Sequence, residues 1–337
     1  MTNRLRRQLV SNCYRRVAPG RHETDAFTGA AWTRRDVPGW DGAVTIDTAT
    51  EVFEEHRPVL MGVAYRMLGR VADAEDVVQE AWLRWSGADR TEVREPRAYL
   101  VRIATRLAVD RLRQVRSRNE AYVGPWLPEP YVTDFGDTAP DTAERAVLAD
   151  SVSLAVLVVL ESLSPLERAV FVLREAFGYP YADIAAVLDR GEPAVRQLAG
   201  RARKHVEERR PRYEVDPAER RDLTERFLAA AAGGDLEGLM SLLAPDVRLI
   251  GDSGGLSKAP LRVIETADKV GRFLYAVAQQ GVPDLSYRSL ELNGGAALLV
   301  LSGEKPDSTV QLDVVDGRIQ CVYIVRNPEK LVSLGDQ

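Results

Sequence analysis

Four prolines (Pro125, Pro128, Pro130, Pro140) and two glycines (Gly124, Gly136) fall within residues 119–145, between two stretches of helix-forming sequence. Proline lacks the amide donor and clashes with the preceding turn, so no helix crosses this segment and the chain divides there. The apolar pair Trp126-Leu127 does not belong in a purely solvated spacer, and it predicts a linker that docks on a neighbour. Around this break the sequence reads as a multidomain chain. Residues 1–46 lack periodicity and are expected to be a disordered extension or a mis-assigned start. Residues 47–118 and 146–212 read as two all-α helical domains, the second with a helix-turn-helix. Residues 213–337 read as an α+β domain.

The helical signals are specific. Thr50 is positioned to cap a helix at Glu51, and Asp73 to cap one carrying Val77, Val78, Ala81, Trp82 and Trp85 on a single face. After Pro96, the residues Tyr99, Leu100, Ile103, Leu107 and Leu112 mark the buried side of a long helix. Ser164-Pro165-Leu166-Glu167 reads as N-cap, first-turn proline and acid near the positive helix end. Beyond Pro217 the pattern predicts helices to about 232, over 235–243 and over 260–280. Alternating apolar runs follow at Leu285–Leu292, Ala296–Leu301, Thr309–Val315 and Ile319–Val325, with an Asp316-Gly317 hairpin, so an antiparallel meander is expected.

A formal net charge of −5 argues against a nucleic-acid partner only until the charges are placed. Residues 90–118 hold nine Arg against three acids, and residues 190–212 hold eight bases against three acids. Residues 124–144 carry five acids and no base, and residues 213–337 carry 13 bases against 19 acids. Two basic islands flank an acidic linker, and an acidic tail follows. Cys13 and Cys321 are the only cysteines, and His22, His56 and His205 the only histidines. Neither a disulfide framework nor zinc spacing is present, and no metal or cofactor is expected. No apolar stretch has the length of a signal peptide or membrane helix, so no membrane partner is expected and a reducing cytosol is the default.

Tyr181–Leu188, the Asp189-Arg190-Gly191 turn and a helix opening at Glu192-Pro193 form the helix-turn-helix candidate. Val195, Leu198, Ala199, Ala202 and Val206 share one arc of the second helix, while Arg196, Gln197, Gly200, Arg201, Arg203 and Lys204 face away. Arg bonds guanine edges, Gln bonds adenine and the remaining bases neutralise phosphate, so this outer face suits a major groove; a solvated amphipathic helix has the same pattern. Arg102, Arg106, Arg113 and Arg116 cluster opposite the apolar stripe of the long helix, as a polyanion backbone requires. Trp82 and Tyr99, at helical spacing, belong with the core. Asp73, Asp76 and Glu80 with Leu83 fall opposite the tryptophans, as a solvated face or an acidic surface for a basic protein.

Asp73-Ala74-Glu75-Asp76-Val77-Val78-Gln79-Glu80-Ala81-Trp82 resembles region two of the extracytoplasmic-function (ECF) group of the bacterial sigma-70 family. Ser164-Pro165-Leu166-Glu167-Arg168, Tyr181-Ala182-Asp183-Ile184-Ala185 and Arg201-Ala202-Arg203-Lys204 resemble region four. Tyr122-Val123-Gly124-Pro125-Trp126-Leu127-Pro128-Glu129-Pro130 and Asn327-Pro328-Glu329-Lys330-Leu331 resemble the linker and terminal motifs of the subgroup with a C-terminal SnoaL-like cone. The resemblance covers about residues 48–337. It implies that Asp73, Asp76, Gln79, Glu80 and Leu83 bind core RNA polymerase and that Arg102, Arg106, Arg113 and Arg116 engage the minus-10 element of promoter DNA. It further implies that Arg196, Gln197, Arg201, Arg203 and Lys204 read the minus-35 element. Trp126, Leu127 and Pro128 with Asp252, Lys258, Asn327, Pro328 and Lys330 would carry contact between tail and sigma domains. The subgroup's Asp-Gly-Gly-Gly-Lys motif is altered here to Asp252-Ser253-Gly254-Gly255-Leu256-Ser257-Lys258, which also fails Walker spacing.

A sigma factor, tuned in cis by its tail and requiring no separate anti-sigma factor, is therefore expected. A helix-turn-helix regulator acting without core polymerase is the alternative, and the acidic Asp73–Trp82 segment speaks against it. An enzyme with a helical targeting module is a third reading. Residues 213–337 hold no histidine, and Asp252 or Asp284 as lone loop acids are expected to be solvated or capping, so catalysis is not expected.

Overall fold

A computed structural model of the chain describes residues 48–89, 93–119, 122–133, 153–208, 217–280 and 284–335. The expected extension over residues 1–46 and most of the acidic linker lie outside them.

Helices α1 (Thr48–Leu68), α2 (Val71–Ser86) and α3 (Pro96–Asn119) pack together as the first helical block. The first two begin earlier than their expected caps. Helix α1 already includes Thr48, and α2 starts at Val71, with Asp73 inside its first turn. The second block comprises α4 (Leu154–Leu160), α5 (Pro165–Phe171) running into a π-helical turn (Val172–Ala176), α6 (Tyr181–Leu188) and α7 (Glu192–Glu207). The Ser164 capping box forms as the sequence indicates, its side chain and that of Glu167 each satisfying the other's backbone N–H. Asp189 ends α6 in the left-handed conformation (φ 53°), and Gly191 starts α7, which together make the helix-turn-helix corner.

The two blocks share one apolar core. Leu60, Met67, Leu100 and Ala104 are buried in the same cluster as Leu157, Leu173, Ile184 and Val195. Tyr99, Ile103 and Leu112, expected inside, reach only half burial at its margin. Polar contacts seal the seam: the Arg106 Nε donates to the Val187 carbonyl at 2.7 Å, and the Arg168 Nε to the Arg66 carbonyl at 3.2 Å.

The tail begins with α8 (Pro217–Gly233) and α9 (Leu236–Leu242) and runs directly into β1 (Leu243–Asp252). Then come β2 (Ile264–Glu265), α10 (Ala267–Gln280), β3 (Leu285–Leu292), β4 (Gly295–Ser302), β5 (Lys305–Val315) and β6 (Arg318–Val325). The sheet order is β2-β1-β6-β5-β4-β3. The β3–β6 meander is antiparallel, as the sequence indicates, and Asp316-Gly317 turns its last hairpin with both φ values positive. The sheet as a whole is mixed, because β1 pairs in parallel with β6. Strand β1 escapes a pattern reading: it follows a helix without a turn, contains Pro245 and shifts register between Leu243 and Arg248. Helix α10 starts at Ala267 rather than near Pro260 because β2 occupies part of the interval.

Helices α8–α10 fill one face of the sheet, with Leu223, Phe227, Leu239 and Val270 against Leu249, Leu312 and Val322. The opposite face buries Ile250, Leu299, Tyr323 and Val325 against linker residue Leu127 and Leu154 of α4. The tail thus docks on the helical half through its second face. Replacing fully buried Leu100 with Ala should cost about 2–5 kcal/mol. Because its core is common to both blocks, denaturant unfolding should show them losing structure in one transition at a lower midpoint.

Candidate functional site

Helix α2 presents Asp76, Gln79, Glu80 and Leu83 outward, and Leu83 is 61% exposed, an apolar side chain held in water beside acids. Asp73 departs from this face. It is buried because Arg111 of α3 crosses over it, donating from Nη2 at 2.8 Å and from Nε at 3.2 Å. The same guanidinium reaches Asp76 at 3.1 Å, and Glu80 pairs with Arg84 at 2.7 Å. An acid in the first turn faces the positive helix end, which favours this placement of Asp73 over the capping position expected of it.

The arginines of α3 do not form a uniform outer strip. Arg102 lies over the Tyr99 ring at 5.2 Å, and exposed Arg113 bonds Asp110 at 2.9 Å. Arg106 instead satisfies carbonyls at the C-terminal end of α6, bonding Val187 and, at 3.3 Å, Ala186. The side chain of Arg116 lies outside the described residues. On α7, Arg196, Gln197, Arg201, Arg203 and Lys204 are exposed and Val195, Ala199, Ala202 and Val206 buried, as the arc predicts. Each arginine of that face has an acid from its own block: Arg196 with Glu192, Arg201 with Glu167 at 2.9 Å, and Arg203 with Glu175 at 2.7 Å. Arg196 and Arg174 both stack on Tyr181, each 4.8 Å from the ring centroid.

The linker is gripped at three points. At the first, Asp252 closes β1 fully buried, contrary to the solvated or capping role expected of it. Its carboxylate accepts the Tyr122 hydroxyl at 2.5 Å, the Leu127 N–H at 2.7 Å and the Lys330 ammonium at 2.7 Å. Lys330, 2% exposed, also donates to the Leu127 carbonyl at 2.6 Å and lies 4.1 Å from the Trp126 ring centroid. Burial pulls the Lys330 pKa down despite the opposing pull of Asp252, and burial followed by the Asp252 bond pushes the Tyr122 phenol up. Asn327 donates from Nδ2 to the Tyr122 oxygen at 2.8 Å, while its Oδ1 caps the turn holding Pro328 and Lys330. Gly254 passes so close that a β-carbon there would stand 2.7 Å from the Asn327 amide nitrogen. The Lys258 side chain is exposed and stands apart from this cluster; its carbonyl accepts from Arg326.

At the second point, Trp126 lies on the α1–α2 turn, where a β-carbon on Gly69 would come within 2.8 Å of its ring. Pro128 is buried beside it. The Glu129 carboxylate accepts the Val71 N–H at 2.9 Å and so caps α2 from 58 residues away. Burial raises the Glu129 pKa. The third point joins linker to hairpin. The Tyr65 hydroxyl donates to the Glu129 carbonyl at 2.7 Å and accepts from the Asn293 amide at 2.5 Å. Val132 bridges Leu292 in antiparallel fashion, and the Thr133 hydroxyl donates to Glu291 at 2.9 Å. Tyr65, Glu129, Glu291, Asn293 and Thr133 were not singled out from sequence. The Asn293-Gly294 dipeptide, whose φ values are 53° and 68°, was the available signal for a tight turn there.

Sigma-70 region 2 matches residues 52–118 and Sigma-70, region 4 matches residues 153–206. The chain is 44% identical over 266 residues to the ECF RNA polymerase sigma factor SigJ of Mycobacterium tuberculosis, covering 79% of this chain and 82% of that protein. It is 31% identical over 290 residues to the probable ECF RNA polymerase sigma factor SigI of the same species, covering 86% and 96%. The crystal structure of M. tuberculosis SigJ is similar with a TM-score of 0.68 and 38% identity, covering 85% of this chain and 98% of that one.

Two outcomes follow from the grip. Asp252→Ala leaves a buried ammonium without its counterion and should cost about 3–5 kcal/mol in urea unfolding; adding Lys330→Met should restore part of the loss. Glu129 holds its proton more tightly folded than unfolded, so its contribution is present below pH 4.5 and lost as pH rises through the raised folded value. Glu129→Gln, which keeps an acceptor for Val71, should therefore be more stable than wild type at pH 7. The margin should vanish as pH falls towards 4.5.

Proposed function

Because this chain belongs to the extracytoplasmic-function sigma factors of RNA polymerase, we propose that its tail domain tunes promoter engagement in cis by holding the linker between the two DNA-binding blocks. The observation that carries this reading is the buried Asp252–Lys330 pair closed around Leu127. A tail that merely followed the sigma domains would have no reason to enclose linker backbone with its own buried charges.

On this reading the exposed Asp76, Gln79, Glu80 and Leu83, with Asp73 behind them, meet core polymerase. Arg102, Arg106, Arg113 and Arg116 meet the minus-10 element, and Arg196, Gln197, Arg201, Arg203 and Lys204 the minus-35 element. Elements about 25 base pairs apart, at ~3.4 Å per pair, lie about 85 Å from each other on the duplex. Two blocks sharing one apolar core do not span that distance, so initiation requires them to part. Arg106, whose guanidinium is engaged by α6 carbonyls in the closed chain, becomes available only then. The tail of the same chain supplies the restraint, so no separate anti-sigma factor is needed, and the working compartment is the cytoplasm.

Reversing Asp76 and Glu80 to Lys should abolish co-purification of the full chain with core polymerase; retained binding would overturn the polymerase face. In reconstituted transcription, deletion of residues 213–337 and the Asp252→Ala variant should both change promoter output. Output equal to wild type across promoters and salt concentrations would sink the cis-tuning reading.

A further inference from the structure

Helix α8 and the β3–β4 hairpin line an open cleft of about 240 Å³ that the DNA faces do not use and that touches the linker grip only at Glu291 and Gly294. We infer that this cleft binds a small organic carboxylate, with Arg220 as its anchor.

The Arg220 Nε is screened from solvent and has no hydrogen-bond partner among the described residues, although guanidinium remains charged at every accessible pH. The guanidinium that carries this unpaired donor lines the cleft, so a ligand acceptor can complete a set that the described residues leave short. The contrast along α8 is instructive: Arg226 pairs with Asp222, whereas half-buried Arg220 lines the cleft beside Arg221. Across from them, at the hairpin turn, the wall is built from the small residues Gly294, Gly295 and Ala296. A β-carbon on Gly295 would stand 3.3 Å from Arg220 Nη1, so the glycine gives the guanidinium its room. Leu290 and Ala297 add an apolar surface suited to the body of a small molecule. Glu225 and Glu291 also line the cleft and set its charge limit. Beside two carboxylates a monoanion is tolerated better than a phosphate dianion, and the planar fork of arginine matches a carboxylate in two-point contact.

The position of Glu291 gives the site a consequence, which rests on the cis-tuning reading. Its carboxylate accepts the Thr133 hydroxyl, and Thr133 in turn accepts the Gly294 N–H at 3.0 Å. A further carboxylate, brought by the ligand, repels Glu291 and weakens the third grip on the linker.

The test is calorimetric titration of the full chain with acetate, hexanoate, benzoate and indole-3-acetate, with benzamide and phenyl phosphate as comparison probes. At least one carboxylate should bind saturably, at least tenfold more weakly to Arg220→Gln and equally well to Arg226→Gln, with both variants matched to wild type in thermal unfolding. Absence of carboxylate binding tighter than about 10 mM would overturn the site. So would binding indifferent to Arg220, benzamide binding as tightly, or phenyl phosphate binding more tightly. Amide exchange at Tyr131–Thr133 should rise on saturation. Unchanged exchange alongside Arg220-dependent binding would remove the coupling while leaving the site, and neither result depends on the transcription assay.

Discussion

The tail's hold on the linker centres on one carboxylate, that of Asp252. Asp252 is fully buried, and taking a charge out of water is repaid only where geometry and hydrogen bonding are complete. Here three donors arrive from two directions: the Lys330 ammonium from the tail, and the Tyr122 hydroxyl and Leu127 N–H from the linker. Neither the tail nor the linker alone completes the set. Pulling the linker away strands both Asp252 and Lys330 with part of their hydrogen bonding lost, so the docked arrangement is favoured by the cost of the alternative as much as by its contacts. The apolar contacts around it, Leu127 and Leu154 against Ile250, Tyr323 and Val325, add area; the ion pair adds register.

That register matters because the linker is held simultaneously by the other side. Glu129 caps α2 by accepting the Val71 N–H, and Tyr65 of α1 ties the same residue's carbonyl to Asn293 of the tail. A displacement of the linker is therefore felt at the start of the helix that carries Asp76, Gln79 and Glu80. Lys330 and Glu129 both carry a burial penalty in this state, one seen as a lowered and the other as a raised pKa.

Much of this was legible in the residues. The helix-turn-helix, the Ser164 capping box, the last four strands and the docking linker each rest on local rules, and local rules survive folding. What escaped depends on partners distant in sequence. Strand β1 takes its identity from β6, about seventy residues further on, and its Pro245 and register shift mask the alternation. Asp252 looks like a loop acid until Tyr122 and Lys330 arrive, and Val71 lacks a local cap because Glu129 provides one. Arg106 points away from the core of its own block, as its place on the helix implies, but a second block lies on that side, which no local rule announces.

The same geometry orders the steps of promoter engagement on the proposed reading. The α7 arginines are tied to Glu192, Glu167 and Glu175 by partly exposed ion pairs, each worth about 0–1 kcal/mol, which a row of phosphates outcompetes without moving a domain. Arg106 is different. Its partners are carbonyls of α6 at the seam of a common core, and freeing it exposes apolar surface from both blocks. On the proposed reading the α7 face would be open to DNA while the chain is closed, whereas contact through Arg106 would wait on separation. On the same reading, core polymerase would meet α2 beside Arg111, the α3 side chain that holds Asp73 and Asp76, and would compete with it for both acids.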